Sequence, residues 1–412
     1  MREGSEKAPS RTREESETGR AKKQEISMKL FGRKAGRDES RPALEARRTS
    51  RFVEGAGGVP ASYQEQVRAL YLRNAVAQRS VRMIADALGE APLDGTPELV
   101  RLVQARSGGQ ALTATLAAQL LLHGNAYVQL LTDAQGRLVE LFALRPERVT
   151  VEADAGGWPV AYRYGVGTQS VRLVADDPRP QIVHIKAFHP LDDHYGLGCL
   201  GAAAGAIALH NAAAAWNTAL LDNAARPSGA LVYDPGDGSA LSGEQFARLR
   251  DELDASFAGA RNAGRPMLLE GGLKWQALSL TPADLDFAEM KAAAAREIAC
   301  GFGVPPMLLG LPGDATYANY KEANRALWRQ AILPLAGTIL AGLAQGVEGW
   351  FAGATLGVAL DRVPALAEDR ERLWAQVSAA PFLTRDEQRA MVGLANPLPP
   401  GEGEAQRGAI GG

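Results

Sequence analysis

The spacing of apolar residues changes from helical to strand-like near residue 125. Residues 62–88 and 95–123 carry apolar side chains three and four positions apart, which predicts two helices. Six shorter segments then alternate with turn residues and are rich in branched and aromatic side chains, which predicts an antiparallel meander. These segments are 125–131, 136–142, 148–153, 160–164, 171–175 and 181–188. The pattern favours an α+β fold.

A long uncharged segment follows the predicted strands. Residues 195–221 contain no Asp, Glu, Lys or Arg and consist largely of Ala and Gly. A membrane span is one interpretation of this length, but the small residues, together with His210, Asn211 and Asn217, favour a buried helix of a soluble protein. Small side chains let helices approach closely, whether the neighbouring helix belongs to this chain or to another copy.

Capping signals mark the later helices. Strand-like segments flank a helix that Ser242 and Gln245 open as a capping box. Thr281 and Pro282 open the next helix, since proline favours the first helical position. Thr384 begins a last short helix with a capping glutamate three residues later.

Glycine and proline interrupt the helix that starts at Thr281. Gly301 and Gly303 weaken the helix, and Pro305 and Pro306 end it, because proline lacks the N–H that a helix needs. A new helix is expected from Asn319, with a capping glutamate three residues on and a kink at a later proline. The sequence therefore predicts a loop that is fixed at both ends.

Charge is distributed unevenly along the 412 residues, whose formal net charge is -2. Residues 1–51 hold 15 Lys/Arg against 9 Asp/Glu, a net of +6, whereas the remaining residues hold 30 against 38, a net of -8. An acidic body lacks the basic patch with which folded domains grip nucleic acid. The polar first 27 residues predict disorder and lack the apolar centre of a signal peptide, and Met28 is an alternative start position. Two cysteines, Cys199 and Cys300, fit a reducing compartment.

Two functional alternatives rest on local sequence. GLGCLG at 196–201 matches the dinucleotide-binding glycine pattern and would make the protein a cofactor-dependent enzyme. That motif requires a strand leading directly into its first glycine, whereas the preceding predicted strand ends near Phe188. The basic N-terminal arm would instead make the protein a nucleic-acid binder, although its interleaved glutamates weaken that interpretation.

Other chemical signals are weaker. GSALSG at 238–243 has the glycine spacing of a phosphate loop but lacks the required lysine. Three histidines recur at intervals of five residues beside two aspartates, but zinc sites usually show shorter pairs, so a strand and a loop are the simpler interpretation. These histidines are His184, His189 and His194, and the aspartates are Asp192 and Asp193. We predict no catalytic residue, no metal site and no cofactor.

A series of segments in register resembles the portal proteins of tailed bacteriophages, including those of prophages and gene transfer agents. The segments are GNAYVQLL, RPERVTV, YRY, IVHIKAF, GLGCLGAAAGAI, NAARPSGALV, LSGEQFARLRDELDASFAGARNAGRPMLLEGGLKWQALSLTPADLDFAEM, REIACGFGVPPMLLG and YANYKEANRALWRQAILP. The resemblance covers about residues 28–350. One departure is the Gly-x-Ser-Pro-Leu run that often opens the helix after IVHIKAF, where this chain has GLGCL, and this predicts a weaker helix cap.

The resemblance implies a portal fold with an α/β wing, a long helical stem, a small α/β clip and a short helical crown. The implied regions are a disordered basic tail (1–49), the wing (50–195), a stem helix (196–225), the clip (226–281), a second stem helix (282–303), a tunnel loop (304–319), a long helix with a wing return (320–361), and the crown with a mobile tail (362–412). Their order follows the order of the predicted elements.

The resemblance also assigns a role to the helix break. The tunnel loop of a portal projects into the channel and touches DNA, and here its DNA-facing residues would be Met307, Leu308, Leu309, Gly310, Leu311, Pro312, Gly313, Asp314, Ala315, Thr316, Tyr317 and Ala318. Asp314 is the only charged residue between Gly301 and Asn319, so such a loop would contact DNA without gripping phosphates. An ordinary connection between two helices remains the alternative.

The partners that the resemblance implies are those of a structural conduit. Such a protein forms a homo-oligomeric ring, usually of twelve subunits, at one capsid vertex, and double-stranded DNA passes through it. The terminase large subunit, the major capsid protein or scaffold, and a head-tail adaptor would contact the ring, with no membrane involved. The expected location is the portal vertex of a virion after assembly in the host bacterial cytoplasm, and the terminase rather than the portal hydrolyses ATP.

Overall fold

The computed structural model describes residues 42–44, 62–222, 229–234, 236, 241–257, 273–277, 287–311 and 317–393. The described helices, in chain order, are α1 (Tyr63–Gln66), α2 (Ala75–Gly89), α3 (Pro97–Gln104), α4 (Leu112–His123), α5 (Cys199–Ala202), α6 (Ala204–Asp222), α7 (Gly243–Phe257), α8 (Phe287–Gly301), α9 (Tyr317–Leu327), α10 (Leu333–Gly346), α11 (Ala367–Ser378) and α12 (Arg385–Met391). A π-helical turn, Val67–Tyr71, follows α1, and another, Trp328–Ile332, joins α9 to α10.

The described strands form small antiparallel sheets. They are β1 (Leu93–Gly95), β2 (Arg106–Ser107), β3 (Gln110–Ala111), β4 (Asn125–Thr132), β5 (Leu138–Leu144), β6 (Val149–Ala153), β7 (Pro159–Val166), β8 (Gln169–Val174), β9 (Ile182–Lys186), β10 (Gly229–Tyr233), β11 (Leu273–Ala277) and β12 (Leu356–Val358). One three-stranded sheet has the order β5-β4-β9, and another has the order β6-β7-β8. The α+β prediction is confirmed.

The prediction of a single meander is wrong, because β5 and β6 lie in different sheets and the last strand returns to the first sheet. β9 pairs with β4 and not with β8, and Asn125 faces Lys186 in that ladder. The strands β6, β7 and β8 are therefore an inserted meander between two strands of the other sheet. Alternation along a strand defines its buried face but does not define a partner that is distant in sequence.

The predicted helix 95–123 is two helices with a hairpin between them. β2 and β3 form this hairpin, and Gly108 and Gly109 turn it with φ angles of +58° and +81°. Those angles lie in the left-handed region, where glycine avoids the strain of a side chain. The predicted helix 62–88 is likewise divided, since Asn74 caps α2 after the π-helical turn.

The main hydrophobic core lies between helices and the inner face of the β5-β4-β9 sheet. Its fully buried side chains come from α2, α4, α6, α8 and α10, and include Ile84, Leu88, Leu116, Ile207, Ile298, Ile339 and Leu340. α10 lies so close to β9 that a Cβ atom added at Gly346 would be 2.1 Å from Val183 Cγ2. A smaller core lies between the two sheets and contains Tyr127, Leu144, Val149, Tyr162, Leu173 and Ile182.

The helical run around the second π-helical turn is long and apolar. Among the described helices, Asn319–Gly346 has the length and composition to cross a membrane. Its buried residues Ile332, Ala336, Ile339 and Leu343 belong to the main core. The π-helical turn comes just before Pro334, where the missing N–H and the ring disturb regular α-helical bonding.

Two predicted capping boxes are confirmed. The N–H of Gln245 donates to Ser242 Oγ at 3.2 Å, and the N–H of Ser242 donates to Gln245 Oε1 at 2.9 Å. Thr384 and Glu387 cap α12 in the same reciprocal way. β10 and β11 pair on either side of α7 in sequence, so the region predicted as a clip contains both strands and a helix.

Most of the tail predicted as disordered, residues 1–49, lies outside the described residues. Residues 42–44, however, lie on the turn between β6 and β7. Leu44 donates its N–H to the Gly156 carbonyl at 2.9 Å, and Trp158 donates its indole N–H to the Pro42 carbonyl at 2.9 Å. This part of the tail therefore has a defined position beside the β6-β7-β8 sheet.

Candidate channel-lining segment

The candidate segment begins where α8 ends, beside α6. Small side chains lie between these two helices, and Ala294, Ala295 and Ala299 are buried. A Cβ atom added at Gly301 would be 3.3 Å from Ala203 Cβ. The two helices thus approach closely because glycine and alanine occupy their contact.

A Schellman motif ends α8. Gly303 has a φ of +73°, the N–H of Val304 donates to the Ala299 carbonyl at 2.9 Å, and the N–H of Gly303 donates to the Cys300 carbonyl at 2.9 Å. Phe302 and Val304 are 2% and 1% exposed, which fixes the turn in the main core. Gly303 therefore ends the helix, and Pro305 with Pro306 prevents its continuation.

The next residues form a 3₁₀ turn, Pro306–Leu309, and not an open loop. Leu308 is 8% exposed and lies in the main core, and Leu309 packs against that core. Met307 and Leu311 are half-buried, and Gly310 is exposed with a φ of +71°. Leu308 is thus an anchor of the segment, although the sequence analysis placed it among the DNA-facing residues. Pro312, Gly313, Asp314, Ala315 and Thr316 lie outside the described residues.

The helix after the segment starts earlier than predicted. α9 begins at Tyr317, followed by Ala318, so Asn319 lies within its first turn and the predicted cap at Asn319 is wrong. Its expected capping partner Glu322 contacts Arg325 instead, at 2.9 Å. The helix therefore begins two residues before the predicted cap.

Arg325 joins α9 to α11. Its side chain is 12% exposed and contacts Glu368 at 2.7 Å and Asp369 at 3.5 Å. A hydrogen bond from Lys321 is the main cause that lowers the pKa of the Glu368 carboxyl, and Arg325 lowers it further. This cluster links the helix that follows the candidate segment to the C-terminal helices.

A buried asparagine joins α6 to the start of α2. Asn74 is 1% exposed and accepts the N–H of Ala77 at 2.8 Å as the cap of α2. Its amide group donates to Asn211 Oδ1 at 2.9 Å and lies 3.2 Å from His210 Nδ1. Two of the polar residues that argued against a membrane span, His210 and Asn211, thus contact Asn74.

Gly196 and Gly198, the first two glycines of GLGCLG, pack against backbone atoms of neighbouring segments. A Cβ atom added at Gly196 would be 2.1 Å from the Gly124 carbonyl oxygen, and one added at Gly198 would be 2.6 Å from the Leu122 carbonyl oxygen. Asn125 Oδ1 accepts the N–H of Gly196 at 2.7 Å, so this N–H has a protein partner. The two glycines allow close packing here, and their space is taken by α4 and not left for a pyrophosphate.

The three histidines noted in the sequence form hydrogen bonds with different partners. His184 Nε2 donates to Asn125 Oδ1 at 3.0 Å, and Tyr162 donates to His184 Nδ1 at 3.3 Å. His194 Nε2 lies 2.6 Å from the Gly157 carbonyl, and His189 Nδ1 accepts the N–H of Leu191 at 3.0 Å. In the described part of the chain, no group of three His, Cys, Asp or Glu residues could hold a metal.

Burial dominates the electrostatics of His184. Burial, with a smaller effect of Lys186, lowers the pKa of His184 from 6.5 to about 3. Burial also lowers the pKa of His123 to about 4. Both imidazoles are therefore neutral near pH 7, which suits their hydrogen bonds with the Asn125 side chain.

A comparison of this chain with protein-family models identifies its family. The family model described as "Phage portal protein" matches residues 75–393, which is more than half of the chain. The chain therefore belongs to the phage portal protein family and is a portal protein.

Relatives and solved structures agree with this assignment. A protein of Rickettsia felis is 39% identical over 344 residues, which cover 79% of this chain and 87% of that protein. The "Probable portal protein" of Streptomyces phage phiC31 is 27% identical over 405 residues, which cover 92% of this chain and 87% of that protein. A chain in the neck of a native gene transfer agent particle, computed with C12 symmetry, is 48% identical with a TM-score of 0.64 and covers 82% of this chain and 95% of that chain.

Proposed function

We propose that twelve copies of this portal protein form a ring at one capsid vertex, and that double-stranded DNA enters and leaves through the channel of the ring. The observation that carries the proposal is the likeness to a neck chain whose particle was computed with C12 symmetry. At 48% identity, that likeness supports the same ring for this chain. The ring acts as a conduit and catalyses no reaction itself.

The proposed channel wall is built from α6 and α8, which represent the stem regions 196–225 and 282–303. The close contact of Gly301 with Ala203 supports their pairing. The wing (50–195) lies outside this wall, the clip (226–281) at one end and the crown (362–412) at the other. The pairing of β10 with β11 supports a compact clip.

The tunnel loop of this channel is proposed for residues 304–319, with Gly310 to Ala318 as the part that touches DNA. Two observations support this: Val304 and Leu308 are buried ahead of the part proposed to touch DNA, and the Arg325 cluster anchors the helix that follows. With Asp314 as its single charged side chain, the loop acts sterically and lets DNA slide.

The proposed partners follow from the position of a portal ring. The terminase large subunit docks at the clip during packaging, and a head-tail adaptor replaces it afterwards. The major capsid protein or a scaffold surrounds the wing, and the ring assembles in the bacterial cytoplasm before it becomes part of the virion. The higher identity to the gene transfer agent chain than to the phiC31 protein supports a particle of the gene transfer agent type.

The proposal is tested by deleting the gene for this chain and then supplying the gene again. Removing the coding sequence from the particle-producing genome is expected to abolish nuclease-resistant DNA in released particles, and the full chain is expected to restore it. A chain lacking residues 312–316 is expected to form rings but to package less DNA. Particles that protect a normal amount of DNA without this chain would contradict the proposed function.

A further inference from the structure

The loop between β9 and α5 presents two large apolar side chains to solvent. Phe188 is 85% exposed and Leu191 is 67% exposed. Among the large hydrophobic residues that the structure describes, none is more exposed than Phe188. Single exposed apolar residues are common, but two in one short loop indicate a surface that another protein covers. We call residues 187–194 the apolar loop.

Hydrogen bonds hold the apolar loop in one shape. Asp192 is 9% exposed, and its Oδ1 accepts the N–H of His194 at 2.7 Å and the N–H of Tyr195 at 2.9 Å. At the other end, the N–H of Ala187 donates to the Gly124 carbonyl at 2.8 Å. A rigid loop loses little conformational entropy when a partner covers it, so its apolar side chains are well suited to binding.

The apolar loop continues in sequence into an uncharged helix face. Among the residues of α5 and α6 whose exposure the structure describes, which end at Ala219, the exposed ones carry no charge. They are Gly201, Ala202, Gly205, Ala208, Leu209, Ala212, Ala215, Thr218 and Ala219. A helix face that remains in water normally carries charged residues, so this face also fits a protein partner.

We propose that Phe188 and Leu191 of one subunit insert into an apolar surface of the neighbouring copy of this chain in the ring. This inference rests on the proposed ring, in which each copy meets its two neighbours through two different surfaces. A projecting loop on one subunit then meets a different surface of the next subunit at every interface. The C12 symmetry of the similar neck chain's particle supports that repetition.

A second copy suits the apolar loop better than DNA does. The loop offers apolar side chains beside two aspartates, Asp192 and Asp193, whose carboxylates repel phosphates. Lys186, the nearest lysine in sequence, donates to the Asp193 carbonyl. Phosphate contacts need free cations, whereas burial of apolar area drives protein association.

The first test compares ring formation by matched variants of the full chain. Replacing both residues with serine, Phe188→Ser with Leu191→Ser, is expected to lower the ring fraction in light scattering by about tenfold or more. The apolar pair Phe188→Leu with Leu191→Met and the exposed strand variant Val171→Ser are expected to stay within about twofold of the wild-type chain. The circular dichroism spectrum of each variant should match that of the wild-type chain, because these side chains are exposed in the monomer.

The second test detects the contact itself. A photoreactive phenylalanine at position 188 is expected to give a covalent dimer of this chain in assembled rings. A wild-type chain that forms no ring would overturn the proposed function and this inference with it. A wild-type ring together with an unaffected serine pair, or an adduct with a different particle protein in place of the dimer, would overturn this inference alone.

Discussion

The side-chain oxygen of Asn125 accepts the backbone N–H of Gly196 at 2.7 Å, and the Asn125 amide donates back to the Gly196 carbonyl at 3.1 Å. This reciprocal pair joins the first residue of β4 to the segment that enters the proposed stem. Asn125 is 1% exposed, so water does not replace these bonds. One buried side chain therefore holds β4 to the segment that leads into α5.

Replacing Asn125 with alanine is expected to lower the free energy of unfolding by about 2–4 kcal/mol, because two backbone groups of Gly196 lose their partner in a buried site. Urea unfolding followed by circular dichroism measures the effect. Gln169→Ala on the exposed strand β8 serves as the control and should change stability little. Equal midpoints for the two variants would show that the Asn125 bonds contribute nothing to stability.

Substitution of two different glycines of GLGCLG by alanine is expected to change the stability of the fold by very different amounts. Gly198→Ala places a Cβ atom 2.6 Å from the Leu122 carbonyl oxygen and should destabilise the fold by about 2 kcal/mol or more. Gly201→Ala meets nothing within 4 Å and lies in α5, where alanine favours the helix. Thermal melting compares the pair, and a Gly198→Ala variant as stable as Gly201→Ala would contradict the packing role of Gly198.

Stability is expected to fall in acid because of His184. The folded-state pKa is about 3 against an ordinary 6.5, so the unfolded chain binds the proton more readily between these values. The stabilisation is complete above about pH 6.5 and is lost as the pH falls, by up to about 1.4 kcal/mol per pH unit for each such histidine. His123, with a pKa of about 4, adds to the slope.

Replacing His184 with glutamine removes one titrating group from this slope. Urea midpoints measured from pH 7 down to about pH 4 are expected to show a shallower pH dependence for His184→Gln than for the wild-type chain, on a lower overall stability. The exposed and non-titrating Gln169 provides the control, and Gln169→Ala should keep the wild-type slope. Parallel slopes for the wild-type chain and His184→Gln would contradict the assigned protonation state.

The Arg325 cluster is expected to stabilise the packing of α9 against α11. Arg325→Met should cost about 1–3 kcal/mol, because it removes contacts at 2.7 Å and 2.9 Å from a side chain that is only 12% exposed. Arg329, which is 65% exposed and 3.8 Å from Asp369, is the matched control, and Arg329→Met should cost less than about 0.5 kcal/mol. Denaturant unfolding measures the stability of both variants. Equal losses of unfolding free energy would contradict a stabilising role of the Arg325 cluster.

Local signals in the sequence predicted local structure well. The capping boxes at Ser242 and Thr384 depend on residues three positions apart, and both are present in the structure. The six strand segments were also found by their alternation. The helix break was predicted from Gly303 and the prolines, since those residues limit backbone conformation directly.

Relations between distant segments were not predictable in the same way. β9 pairs with β4 across the inserted meander, and β12 pairs with β1, because tertiary packing selects these partners. Helix α11 was missed, although its acidic first turn, Glu368 and Asp369, was a signal for it. The roles of Asn125 and Asn74 depend on partners 71 and 137 residues away, which no local pattern reveals.

The mass of the assembled protein tests the central claim most directly. Light scattering on the purified full chain, with negative-stain imaging of the same fraction, is expected to show rings with a central hole. Twelve chains of 43.6 kDa have a combined mass of about 523 kDa, which is the value predicted for a closed ring. A compact monomer or dimer without rings, at every concentration tested, would contradict the account.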